Sequence, residues 1–368
     1  MRLLFVLENY YPNVGGVETL FKSLIKKLSD EGHQITLITT KLSKASPEYE
    51  KIDNIEIYRY PYKNRYYFTF FAFLPVLKHA KNADIIHTTS YNAGLPAIIG
   101  GLLKRKKVII TFHEVWGKIW WRLPYMKLST KIPHYLFEQM LLKLPFTKFI
   151  AVSEATAFHL KKNGVAENKI KTIYNGVDYE DVESYHHIEK TDHKNFIVTY
   201  YGRVGISKGL DLIVRAAAIL QHQLPNSYFK LIIPTHPKNI FNQITDEIDR
   251  YGLDDYIVVM NHLKKDDLIY QLRTSDCVMI PSYSEGFCFA AAESIGLGLP
   301  IISSNKAALK EVVSGKHIKM ESLDTDGLVN AVLKAARGEW EETPIKRFSV
   351  QDCHQQYINL YEELMNNK

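Results

Sequence analysis

The chain has 368 residues and a mass of 42.5 kDa, more than one ordinary core holds, so two domains of about 150 to 200 residues are implied. It is 46% hydrophobic and 23% charged, with a net charge of +6, which is close to the globular average and excludes intrinsic disorder as the main state. Its three cysteines, Cys277, Cys288 and Cys353, show no C-x-x-C spacing; neither a disulfide framework nor a structural zinc site is indicated, and a reducing cytosolic setting fits.

Met1 to Leu7 offers five apolar residues before Glu8, short of the roughly seven a signal peptide needs, and reads as a first β-strand. The longest apolar stretches, around Phe68 to Leu77 and Tyr91 to Leu103, contain Pro or paired Gly and fall short of the roughly 18 residues of a membrane span. Strand-like runs then alternate with helix-period stretches: Arg2 to Leu7, Val17 to Glu31, Gln34 to Thr39, Asp84 to His87, Val108 to Phe112, and Phe149 to Val152 with a Ser153-led helix. The helix Pro133 to Leu144 reads as core. The strand runs are rich in Val, Ile and Leu without clean alternation, as expected of parallel strands buried on both faces. This is a βαβ rhythm and predicts an open α/β sheet.

Domain one is read as 1–185 and a polar linker as 186–195. The rhythm restarts in domain two, 196–346, with strands Ile197 to Tyr201, Phe229 to Ile233, Ile257 to Met260, Cys277 to Ile280 and Pro300 to Ser303. A final segment, 347–368, is read as a helix packing back toward the first domain. Residues 101 to 150 carry ten Lys or Arg against two Glu, a local excess that implies an anionic partner.

In open parallel sheets ligands bind at the carboxyl ends of the strands. After the first strand comes Gly15-Gly16-Val17-Glu18, a glycine pair opening a helix, where free N–H groups and the dipole favour an anion. The dinucleotide pattern G-x-G-x-x-G is absent. After Tyr201 comes Gly202-Arg203-Val204-Gly205-Ile206-Ser207-Lys208-Gly209, whose guanidinium and ammonium among glycines suit a diphosphate; a solvated basic loop is the structural alternative. After Ile280 come Glu285, Gly286, Phe287 and Cys288, then a helix carrying Glu293. Eight residues at about 100° each bring the two carboxylates within about 80° of each other around a helix axis. Carboxylates accept from vicinal hydroxyls, and the loop N–H groups face phosphate. His113 closes the strand Val108 to Phe112, and His87 has the same placement after Asp84-Ile85-Ile86.

Taken in order, these residues, with Gly32-His33, Ser153-Glu154 and Asn175-Gly176-Val177-Asp178, resemble the retaining glycosyltransferases of family 4. The resemblance covers nearly the whole chain. It implies the GT-B arrangement of two Rossmann-like α/β/α domains facing across a deep cleft, and an enzyme that moves a hexose-type sugar from a UDP- or GDP-linked donor without an essential metal or other cofactor. By the same resemblance Arg203 and Lys208 bind the donor diphosphate, Glu285 the transferred sugar and Glu293 the ribose, while the N–H groups of Gly286, Phe287 and Cys288 meet phosphate or sugar oxygen. Gly15 and Gly16 would approach the donor phosphate, and His113 would sit near sugar and acceptor. Where the family has glycine-rich loops toward the nucleobase, this chain has Pro234-Thr235-His236-Pro237 and Asn261-His262, which leaves the base open.

Trp116, Trp120, Trp121, Arg122 and Lys127, with Tyr125, Lys131, Arg59, Lys63, Arg65 and the run Tyr66 to Phe73, join interfacial aromatics to cations. That composition suits a glycan or lipid-linked acceptor at an anionic membrane surface, and so a cytoplasmic protein peripheral to the inner face of the cell membrane. Nucleic acid is disfavoured because no binding motif accompanies the charge. A non-catalytic sugar-nucleotide-binding module or a sugar-nucleotide epimerase of similar fold remains the alternative.

Overall fold

Leu3, Leu4, Phe5 and Val6 are all buried along β1 (Arg2–Val6), as a parallel strand covered on both faces must be. A computed structural model, describing residues 1–13, 15–188 and 194–366, places that strand inside an eight-stranded sheet. Contacts divide the chain into two compact units: Met1–Gly117, Ile132–Gly176 and Val350–Lys368 form the first, Lys118–Lys131 and Val177–Ser349 the second. The main passage from the first unit to the second therefore falls at 176/177, against 185 from sequence, and the return at 349/350, against 346. Of the linker read over 186–195, residues 189–193 lie outside the described residues.

In the first unit β1 is followed by α1 (Gly16–Asp30), β2 (Gln34–Thr40), β3 (Tyr49–Ile52), β4 (Ile55–Tyr60), α2 (Arg65–Phe71), α3 (Phe73–Ala80), β5 (Ile85–Thr89), α4 (Gly94–Leu103) and β6 (Lys107–Phe112). Then come α5 (Leu128–Leu142), β7 (Lys148–Ala151), α6 (Glu154–Lys162) and β8 (Ile170–Thr172). The sheet order is β3-β4-β2-β1-β5-β6-β7-β8, parallel except for the β3–β4 pairing. Asn64 caps α2 by accepting from the N–H groups of Tyr66 and Tyr67, and Ser153 caps α6 through Thr156; each satisfies a helix-start donor left without an intrahelical partner.

The second unit runs through α7 (Tyr179–Glu183), β9 (Phe196–Tyr201), α8 (Leu210–Gln223), β10 (Ser227–Ile232), α9 (Lys238–Arg250), β11 (Ile257–Met260), α10 (Lys265–Arg273) and β12 (Cys277–Ile280). It continues with α11 (Phe289–Gly296), β13 (Ile301–Ser303), α12 (Leu309–Val312), β14 (Gly315–Lys319), α13 (Thr325–Ala336) and β15 (Glu341–Thr343). Its seven strands lie in the order β11-β10-β9-β12-β13-β14-β15, with only β15 antiparallel to its neighbour among them. Both units are therefore Rossmann-like α/β sheets.

The last helix, α14 (Val350–Asn366), joins the first unit through a buried polar chain. Tyr361 Oη lies 2.6 Å from His87 Nδ1, and His87 Nε2 lies 2.8 Å from Thr111 Oγ1. Burial pushes the His87 pKa down to about 3, because a charged imidazole in an apolar layer lacks solvation. His87 is a structural group, neutral at physiological pH.

Candidate active site

The second unit gathers the strongest sequence candidates at the ends of two adjacent strands. β9 and β12 pair side by side, so the loops that leave their carboxyl ends, 202–209 and 281–288, are neighbours. Two contacts lock them together. The Tyr283 N–H donates to the Ser207 carbonyl at 2.7 Å, and Gly209, at φ +71°, turns so that a Cβ there would stand 2.2 Å from the Pro281 carbonyl oxygen. Only glycine allows both that left-handed turn and that approach.

Across this seam Lys208 Nζ donates to Glu285 Oε2 at 2.8 Å. Glu285 is 8% exposed, and its other oxygen, Oε1, accepts from the Ser282 hydroxyl at 2.7 Å. A buried carboxylate needs such partners, since an unmatched one would cost several kcal/mol. The pair is thus a neutralised, preorganised ammonium and carboxylate at the mouth of the sheet. Arg203 stands exposed at the start of the same loop, its backbone carbonyl fixed by the Tyr200 hydroxyl at 3.1 Å.

Glu293 lies on α11, partly exposed. The Tyr201 hydroxyl stands 2.8 Å from the Ala290 carbonyl and 3.3 Å from Glu293 Oε2, while Ser294 Oγ donates to the Tyr201 oxygen at 3.3 Å. Desolvation pushes the Glu293 pKa up to about 7, with Tyr201 opposing the rise. Cys288, at φ +76°, is the residue on which the chain enters α11; burial, with the Glu285 charge, holds its thiol well above the usual range, so it is no ready nucleophile. Phe287 points into the core, edge-on to Phe289 and Phe348, leaving only its backbone to serve a ligand. The structure therefore brings Lys208, Glu285 and the Gly286–Cys288 backbone together, with Glu293 on the helix that follows.

In the first unit, Gly15 is extended at φ −165°, so no left-handed turn requires it. A Cβ there would lie 2.6 Å from Glu18 Oε2, the free end of a side chain that can move aside. The Glu18 carboxylate folds back over the start of α1, where Asn13 Nδ2 donates to it at 2.8 Å. The glycine pair is thus bound up with a side chain of its own helix. His113 follows β6, its ring 6.3 Å from that of Phe21 on α1, two strands from β1 in the sheet order.

The aromatic and basic segment is the main correction. Trp120 is 4% exposed, so it faces the interior and is no part of a surface; Trp116 is partly buried, while Trp121, Arg122 and Lys127 are exposed. Residues 118–131 cluster with the second unit, where Tyr125 packs against its core. Lys131 is spent on the carbonyls of Leu123 and Trp121, at 2.6 and 3.3 Å. The reading of 133–144 as core is half right: Leu141 and Leu142 are buried, but Leu136 and Met140 are exposed.

Three site-supporting residues escaped the sequence reading. Ser282 and Tyr201 hold the two glutamates, and fully buried Glu138 accepts from the N–H groups of Trp116 and Gly117 at 2.9 and 2.7 Å and from the Tyr91 hydroxyl at 2.7 Å. Ser282 was visible as a polar residue three before Glu285; Glu138 and Tyr201 carried no local signal.

Comparison with known proteins matches residues 14–181 to the family described as Glycosyltransferase Family 4 and residues 181–343 to Glycosyl transferases group 1. An uncharacterized glycosyltransferase of Methanocaldococcus jannaschii is 25% identical over 375 residues, covering 96% of each chain. A phosphatidylinositol N-acetylglucosaminyltransferase subunit of Homo sapiens is 24% identical, covering 91% of this chain and 69% of its own. The Anabaena protein HepE, solved in complex with UDP-glucose, superposes with a TM-score of 0.72 at 17% identity, covering 99% of this chain and all of that one.

Proposed function

The chain belongs to glycosyltransferase family 4 and is a glycosyltransferase of the GT-B fold, and from that premise we propose that it transfers a hexose-type sugar from a UDP- or GDP-linked donor to a hydroxyl of a glycan, lipid-linked glycan or glycolipid, with retention of configuration and without a metal. The observation that carries this reading is the buried Lys208–Glu285 pair at the joined strand ends, with Glu293 on the following helix. The UDP-glucose complex of the Anabaena protein supports a UDP-linked donor. The phosphatidylinositol-directed relative supports a lipid acceptor.

In this proposal the donor diphosphate takes Lys208 and Arg203, whose two positive charges neutralise the charge that builds on the departing nucleotide and so replace a metal. Glu285 then accepts from sugar hydroxyls, and Glu293 from the ribose. The bond between the anomeric carbon and the diphosphate oxygen breaks, the acceptor oxygen bonds to the same face, and the acceptor proton passes to the departing phosphate oxygen. The Gly286–Cys288 backbone meets phosphate or sugar oxygen. His113 is proposed to hydrogen-bond the sugar or acceptor, and the Gly15–Gly16 backbone to meet phosphate.

Glu293 gives the proposal a pH signature. As the anion a carboxyl accepts from two ribose hydroxyls through both oxygens, whereas protonation turns one of them into a donor and removes the charge, so the anion is the form expected to bind. With its pKa raised to about 7, UDP affinity is expected to rise as pH climbs through that value and to level off above it; below it the loss approaches about tenfold per pH unit. Tyr201→Phe removes a donor that favours the anion, so the inflection should move to higher pH. Calorimetric titration of UDP between about pH 5.5 and 8.5 reads the profile. A flat profile in the wild type would remove Glu293 from the ribose site.

A further inference from the structure

The two sides of the first unit's sheet carry different outer surfaces. On the side covered by α1 and α14, Met365 is the only large hydrophobic left exposed among the described residues of those helices. The opposite side is covered by α2 to α6, whose inward residues, Phe68, Val76, Ala97, Leu141 and Leu160, fill a shared core. Their outward faces are apolar as well.

On α2 and α3, Tyr66, Tyr67, Phe70, Phe71 and Leu74 are 45 to 58% exposed. Their spacing, i, i+1, i+4, i+5 and i+8, puts them on one face of a nearly continuous helical path. At the far end of α4, Leu102 and Leu103 are exposed, and on α5 Ile132, Leu136 and Met140 form a second stripe four residues apart. A monomeric soluble protein rarely leaves so large an apolar area to water without a partner for it.

The charge around this layer is one-sided. Residues 57 to 153 contain fifteen Lys or Arg and three acids, Asp84, Glu114 and Glu138. Glu138 is buried and Asp84 is paired with Arg2 at 2.7 Å. Helices α2 to α5 therefore present no exposed carboxylate, while Lys63, Lys78, Lys81 and Lys104 stand exposed beside the apolar stripes and Arg65, also exposed, is paired with Glu8 at 3.5 Å. Aromatic and aliphatic residues flanked by more cations than carboxylates match a bilayer interface with anionic headgroups, where rings sit at headgroup depth and each basic residue adds about 1 kcal/mol. Among the described residues no helix is long and apolar enough to cross a membrane, so the contact is with the surface.

We propose that the outer face of α2, α3, α4 and α5 is a docking surface for an anionic lipid bilayer. It keeps Lys63, Arg65 and the exposed residues of the run Tyr66 to Phe73 from the surface read in the sequence, and replaces the 116–127 segment with α4 and α5. The inference goes beyond the transfer reaction and is independent of the donor site, since none of the side chains named for it lies in the second unit.

The test is cosedimentation of the full chain with vesicles of phosphatidylcholine alone, or with roughly a third phosphatidylglycerol. Binding to the anionic vesicles is expected, weakening as salt rises. Phe70→Ser with Phe71→Ser, and separately Lys78→Glu with Lys104→Glu, should each weaken it by about tenfold or more, with melting temperature and UDP affinity unchanged. The second pair keeps the test decisive if the first perturbs folding. Absence of binding, or equal binding to both vesicle types that neither pair alters, would overturn the proposal. So would a wild-type dimer in sedimentation velocity that Phe70→Ser with Phe71→Ser turns into a monomer, because the face would then belong to a second copy.

Discussion

Lys208→Ala is expected to lower the rate of sugar transfer by about a thousandfold, the scale on which a preorganised charge at a developing anion acts. In the free protein Lys208 holds Glu285 at 2.8 Å; in the proposed cycle it exchanges that carboxylate for the diphosphate. Its removal costs twice, because the leaving group loses a cation and Glu285, 8% exposed, loses its charged partner and is left with the Ser282 hydroxyl. The second loss is a stability cost of about 1 to 3 kcal/mol, visible as a lower melting temperature with cooperative unfolding intact. Glu285→Gln should reduce turnover comparably, and the double variant should be little worse than either single one, since residues acting as a unit are not additive. The assay is run in EDTA with the anomeric configuration of the product read by NMR. Turnover of Lys208→Ala within about fivefold of wild type, far short of that expectation, would remove the pair from the reaction, and an inverted product would remove the same-face mechanism.

Gly209→Ala is expected to disable the site through the backbone alone. The residue carries no side chain toward any ligand, yet its φ of +71° and the 2.2 Å approach to the Pro281 carbonyl oxygen leave no room for a methyl group. The strain of a left-handed alanine is about 1 kcal/mol, and the steric overlap with backbone adds more, because Pro281 cannot rotate away like a side chain. The 202–209 and 281–288 loops must separate, carrying Lys208 away from Glu285. Stability should fall by about 2 to 4 kcal/mol and UDP affinity should fall with it. By contrast Gly252→Ala, also at positive φ but with nothing within 4 Å of the added Cβ, should lose only the strain and leave UDP affinity unchanged. Urea unfolding of the two variants, with calorimetry, separates the cases; equal losses would show that the close approach to Pro281 has no part in the site.

The βαβ rhythm was legible because parallel strands buried on both faces must read as unbroken Val, Ile and Leu runs, and the placement of Glu285 and Lys208 followed from where such strands end. Glu285 and Glu293 were readable as a spacing because one loop and one helix connect them. What could not be read depends on contacts between distant segments. Tyr201 sits on β9 and meets Glu293 ninety-two residues later, and nothing local to either residue announces that meeting. The segment 118–131 follows β6 in the chain but clusters with the second unit, and its tryptophans have the composition of a surface even though Trp120 is buried. The helix 133–144 was legible as a helix, but its apolar residues lie on more than one face, and the sequence alone does not tell which of them turn inward. Gly15 was read as a residue that lets the backbone approach a ligand, and what the sequence did not show is that the backbone there is extended with the Glu18 carboxylate folded over it.

The central claim, that a nucleoside diphosphate is held by Lys208 and Glu293 of the second unit, is tested most directly by calorimetric titration of UDP and GDP into the wild type, Lys208→Ala and Glu293→Ala at about pH 8, above the Glu293 pKa. One of the two nucleotides is expected to bind the wild type in EDTA, and each variant should weaken that binding by about thirtyfold or more, the worth of a charged hydrogen-bond partner. Affinities that are the same in all three proteins would contradict the assignment, because the diphosphate and ribose would then be held by other residues.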